Sequence, residues 1–139
     1  MSFSELISPL LGRAMLAWFF LSSAFEMMGN FEGTSQLMTM AHIPAAPLLL
    51  VGVLTVLLLG GSALLLGFHT RAGALMLFAF TLIASVVMHA FWKINNPIDR
   101  AADFELFARN VAIAGGLLLL VGMGPGAFAI DNRLGPKKR

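Results

Sequence analysis

The chain has 139 residues, of which 58% are hydrophobic and only 12% charged, with a formal net charge of +2 and no cysteine. A soluble domain carries about 25% charged residues, so the polar cover a water-facing globule needs is missing, and disorder requires the opposite composition. The lack of cysteine excludes disulfide scaffolds, thiol–disulfide exchange, iron–sulfur clusters and thiolate zinc sites.

A helix crosses the hydrocarbon layer of a bilayer in about 20 residues, and four segments reach that length. The first, about 9–28, is free of charge only over 14–25, so Arg13 and Glu26 are expected near the two membrane faces, where long side chains reach water. Ser8 and Pro9 supply a helix-start signal. No Lys or Arg precedes the apolar run, Glu5 stands where a signal peptide is positive, and Ser22-Ser23-Ala24 is a poor cleavage site; a mature helix is expected. In the outer loop 29–46, Phe31, Leu37, Met38 and Met40 among polar residues predict a short helix on the interface.

The second span, 47–68, is almost wholly aliphatic, with Pro47 in its first turn, where a missing N–H costs nothing. Gly52, Gly60, Ala63 and Gly67 fall near one face, a ridge of small residues suited to close helix packing in lipid. A tight connection at His69-Thr70 makes the third span, 72–92, its antiparallel neighbour. There Thr81, Ser85, His89 and Trp92 follow at helical spacing and predict a polar stripe. The fourth span, about 108–130, opens beside Glu105 and Arg109, four apart and able to pair, and carries Gly115 and Gly116 as a second close contact.

Four spans put both termini on one side. That side holds Arg13, Arg71, Arg133, Lys137, Lys138 and Arg139, against Lys93, Arg100 and Arg109 opposite, so the positive-inside rule places both termini in the cytoplasm. The tail 131–139 then lies against anionic headgroups. Elsewhere the basic residues are scattered singly with no stripe, which argues against nucleic acid despite a pI near 9.7. The expected fold is all-α and integral to the membrane: one domain, an antiparallel bundle of four transmembrane helices with a short outer interfacial helix.

Glu26, His89, Trp92, Glu105 and Arg109 should converge near the outer interface, because ionisable groups in a membrane protein turn toward the bundle and a partner. A quinone headgroup is one ligand such a pocket suits. His89 would bond a carbonyl and exchange its proton, Glu26 would pass that proton outward, Arg109 would stabilise the reduced anion and Trp92 would flank the ring. The plainer reading makes Trp92 an aromatic-belt anchor, His89 an interfacial hydrogen bonder and Glu105–Arg109 a solvated pair. With no cysteine and no His-x₃-His pair, no metal site is expected. Charges clustered at one face do not suit a transporter, which wants interrupted helices at the midplane.

The order of short motifs resembles the DoxX family. These are Phe19-Phe20-Leu21-Ser22-Ser23-Ala24-Phe25-Glu26, Gly33-Thr34, Ile43-Pro44, Gly60-Gly61 with Gly67 and Thr70-Arg71, and His89-Ala90-Phe91-Trp92. Phe107-Ala108-Arg109-Asn110, Gly115-Gly116-Leu117-Leu118, Gly124-Pro125-Gly126 and Ile130-Asp131 complete the set. The chain departs from the family at Met27, where members often carry Lys, and at Leu57, where a glutamate is common. Losing one basic and one acidic group together fits the loss of an internal ion pair.

The resemblance implies a small multi-pass protein of the bacterial inner membrane. It further implies an accessory subunit of a quinone-linked redox or oxidative-stress complex, with quinone as the cofactor on offer. The residues themselves require no cofactor. No dinucleotide glycine motif or cysteine cluster supplies electrons, so any turnover would need a protein partner. The partners expected are the lipid bilayer and either another protein or a second copy; the alternative is a non-catalytic membrane scaffold.

Overall fold

A computed structural model describes residues 2–135. The helices are α1 (Phe3–Gly29), α2 (Phe31–Met40), α3 (Ala46–Leu66), α4 (Thr70–Met88), α5 (Pro97–Met123) and α6 (Asp131–Leu134), with a 3₁₀ turn at Phe91–Lys93. Among the described residues there is no strand. Four helices, α1, α3, α4 and α5, are long and apolar enough to cross a membrane. At 1.5 Å per residue α3 is about 31 Å long, the thickness of a bilayer core.

The helices run up and down, α1 against α3, α3 against α4 and α4 against α5, while α1 and α5 touch only slightly. Phe20, Leu50, Leu57, Leu64, Leu77 and Leu117 fill the centre. Trp18, Leu48, Leu59, Ile83, Leu119 and Met123 point outward from all four rods. Such a surface suits hydrocarbon, and helices suit it because each satisfies its own backbone. α2 lies across the bundle end against α3.

Three boundaries differ from those the sequence suggests. α1 begins at Phe3, not near Pro9, because Ser2 and Glu5 form a capping box: the Ser2 hydroxyl accepts from the Glu5 amide and the Glu5 carboxylate accepts from the Ser2 amide at 2.8 Å. Pro9 therefore sits inside the helix, its ring against Gly126, where an added Cβ would come within 2.5 Å of it. α5 covers 97–123 rather than 108–130. Asn96 caps its start by accepting from the Ile98 amide at 2.9 Å, and Pro97 occupies the first turn. Its end is set by Gly124, at φ +85°, followed by a proline without an N–H. α4 stops at Met88, so the polar stripe ends at Ser85 and Trp92 lies in the separate 3₁₀ turn.

The small residues of α3 serve both neighbours. A Cβ at Gly60 would strike Leu77 of α4, one at Gly73 of α4 would strike Ala63, and one at Gly61 would strike Leu21 of α1. Gly52 does not belong to this ridge in space, since a Cβ there meets nothing within 4 Å. On α5, Gly115 is likewise open and Gly116 lies at ordinary distance from Leu16.

At the end that carries the termini, the segment after α5 folds back beneath α3 and α4. Arg13 is only 3% exposed, not immersed in headgroup water as expected. Its guanidinium donates to the Pro125 carbonyl at 2.7 Å and the Phe128 carbonyl at 2.6 Å, oxygens that the irregular turn leaves free. The Asp131 carboxylate accepts from the amides of His69 at 2.6 Å and Thr70 at 2.9 Å, capping α4, whose own cap residue His69 provides no side-chain bond. Burial pushes the Asp131 pKa up, but the Thr70 and His69 hydrogen bonds outweigh it and the net shift is downward. Gly67 closes α3 at φ +69°, with Ala129 buried against it. The expected tail 131–139 thus starts as α6; Lys137, Lys138 and Arg139 lie outside the described residues.

Candidate functional site

At the opposite end, two adjoining cavities are lined by the last turns of α1 and α4, the larger of them also by α2. The larger, about 1080 Å³, lies among α1, α2, α3 and α4; the smaller, about 250 Å³, reaches from α1 and α4 to α5. Ser23, Met27, Phe80, Ala84 and Met88 form the wall they share. The smaller one exists because α1 and α5 approach each other so little.

Five polar side chains line the smaller cavity, Ser23, Thr81, His89, Arg109 and Asn110, and four of them differ in what they have free. Thr81 is 4% exposed and its hydroxyl has no hydrogen-bond partner among the described residues. A buried hydroxyl left unpaired costs about 1–3 kcal/mol, and the Thr81 residue borders this cavity. His89 caps the C-terminus of α4, and its Nδ1 meets an oxygen of Asp103 on α5 at 2.9 Å. The carboxylate accepts the Nδ1 proton, which fixes the ring and leaves Nε2 as the free nitrogen. Arg109 lies with its guanidinium 5.7 Å from the centre of the Phe19 ring, a cation–π contact. Ser23 is already used: its hydroxyl donates to the Phe19 carbonyl at 2.7 Å, as Ser22 does at 3.1 Å.

Of the five residues singled out in the sequence, His89 and Arg109 line this cavity and Glu26 lines the larger one beside it. Trp92 borders neither. It is 46% exposed and packs edge-on against Phe91 and Phe107, ring centres 5.2 and 6.0 Å apart. Glu105 is exposed and also borders neither. The expected Glu105–Arg109 ion pair is not among those formed by the described residues; Arg109 turns to Phe19 instead. Asp103 was missed because a helix starting near 108 leaves it in a loop, although Asn96-Pro97 is the start signal that puts it on α5. Thr81 belonged to the polar stripe, but nothing in the sequence says its hydroxyl goes unpaired.

The larger cavity is amphipathic along its length. Asn30, Thr34, Glu26 and His42 sit at the α2 end, while Val53, Val56, Phe80 and Ile83 wall the deeper part. His42 at φ +61° and Ala45 at φ +50° bracket the Ile43-Pro44 turn at its edge. Left-handed backbone at such residues costs of order 1–3 kcal/mol each and persists only where the surroundings enforce it.

Fold and site together define a polytopic membrane bundle with a polar-tipped cleft opening toward one end. The chain belongs to the DoxX family, whose profile matches residues 8–90. It is 32% identical to the inner membrane protein YqjF of Escherichia coli over 133 residues, 96% of each chain. It is also 33% identical to the inner membrane protein YphA of the same organism, over 89% of this chain and 88% of that one. A Surfeit locus protein 4 homolog of Drosophila melanogaster is 32% identical over 69 residues, 48% of this chain and 25% of that protein. No solved structure matches.

Proposed function

We propose that this DoxX protein is a quinone-binding accessory subunit of a redox complex in the bacterial inner membrane, with both termini in the cytoplasm. The observation that carries the reading is the smaller cavity, where the unpaired Thr81 hydroxyl, the Asp103-held His89 and Arg109 border one space. A quinone offers two carbonyl acceptors on an apolar ring. Thr81 donates to one. His89 as imidazolium donates Nε2–H to the other; as neutral imidazole with Nδ1–H held by Asp103, it accepts from the quinol hydroxyl at Nε2. Arg109 offsets the charge of the reduced ring. Glu26, across the shared wall, is the acid through which a proton leaves.

This chain binds and exchanges protons; electrons come from a redox partner. The inner-membrane relatives support the location, and the excess of Lys and Arg on the terminal side supports the orientation. Trp92 and Glu105, away from both cavities, anchor the bundle at the interface and contribute solvated charge.

Purification in a gentle detergent, with extraction and chromatography of lipid-soluble cofactors, tests the reading. Ubiquinone or menaquinone should accompany the wild-type protein in near-stoichiometric amount and be lost from His89→Ala and Arg109→Ala. A partner complex that keeps full activity with both changes would instead identify this chain as a scaffold.

A further inference from the structure

The quinone reading takes only Glu26 from the larger cavity, as a proton exit, and leaves the rest of a chemically selective space unused. At about 1080 Å³ it reaches the upper end of the roughly 300–1,000 Å³ of small-molecule sites. Its deep wall is aliphatic and aromatic, and Met27, Met38 and Met88 add side chains that adapt to flexible apolar guests. An occupant must therefore have a long apolar part lying between α3 and α4 and a polar part at the α2 end.

The polar end has one carboxylate, Glu26, and no Lys or Arg among the residues that line it. The Glu26 side chain makes no hydrogen bond and no ion pair among the described residues. A phosphate, sulfate or carboxylate head would meet that charge with no cation to offset it, whereas an ammonium head would be attracted. Gly52 widens the space, since a Cβ there meets nothing within 4 Å. The strained turn from His42 to Ala45 sits where the head would enter.

We propose that this groove binds a single-chain amphiphile with a cationic ammonium head, the head against Glu26 and the tail along Gly52, Val53, Val56 and Ile83. The site shares Glu26 alone with the quinone reading, which gives it the proton exit; Gly52 borders only the larger cavity and Thr81, His89 and Arg109 only the smaller, so Gly52→Phe tests this groove and His89→Ala the quinone site.

The test uses the full chain in discs of neutral phosphatidylcholine, titrated with radiolabelled tetradecyltrimethylammonium, with empty discs as the blank. One saturable site per chain is expected, undisplaced by tetradecyl sulfate. Glu26→Gln should weaken binding at least tenfold, and Gly52→Phe, which fills the tail path, should abolish it. The Gly52→Phe chain should keep the helicity of the wild type; should it fail to fold, Glu26→Gln, at an exposed and unpartnered position, decides alone. Absence of a saturable site, displacement by the sulfate as effective as by the ammonium, or wild-type affinity in Glu26→Gln would overturn the proposal.

Discussion

Arg13 and Asp131 show how a charge can serve a membrane protein without serving chemistry. Arg13 takes two carbonyls of the fold-back turn, and Asp131 closes the bare amides of α4. Arg13→Met should destabilise the protein by roughly 3 kcal/mol, two hydrogen bonds from a charged donor at about 1.5 kcal/mol each. Asp131→Ala should cost about 1–2 kcal/mol, the range for losing a helix cap. Both are read from denaturant titrations in micelles. Because the Asp131 pKa is lower in the fold than its ordinary 3.8, its contribution is complete above that value and disappears as pH falls below it toward the lowered one. The acid stability difference between wild type and Asp131→Asn should therefore be full at neutral pH and shrink below about 3.9.

Between helices, distance is set by what faces each glycine. Gly61 has the Leu21 side chain at 2.8 Å from a would-be Cβ, while Gly115 has nothing within 4 Å. Gly61→Leu should force α1 from α3 and cost about 1–3 kcal/mol. Gly115→Ala should be neutral or stabilise by up to about 1 kcal/mol, since it only improves helix propensity. The same unfolding titrations compare the two. Much of this scale was readable beforehand: the spans 47–68 and 72–92 lie close to α3 and α4 because long apolar runs leave little freedom. The short helix α2 was readable from apolar residues spaced among polar ones in 31–40. The ends of α1 and α5 were misread where two start signals compete, Ser2 with Ser8-Pro9 and Asn96-Pro97 with the uncharged run from Asn110. A capping bond wins over hydropathy there because helix can continue past the membrane into water.

At the scale of the molecule, topology makes a prediction that the lack of cysteine renders simple to check. A single cysteine at Asn95, in the connection before α5, should react with a membrane-impermeant maleimide added outside intact spheroplasts. One at Ser2 should react only after lysis. Labelling of both from outside, or of neither, would contradict a bundle with cytoplasmic ends.

The residue order by itself determined the all-α class, the four spans and the apolar solvent around them, because each depends on hydropathy summed over about 20 neighbouring positions. It also brought forward Glu26, His89 and Arg109, since ionisable groups on apolar helices are few. Only the tertiary structure decided that Arg13 is buried, that Asp103 holds His89, that Thr81 has no partner among the described residues, and that the cleft divides into two chambers. Those outcomes turn on side chains meeting across different helices, as Arg13 meets a carbonyl 112 positions away, and no local pattern records which distant atom will be there.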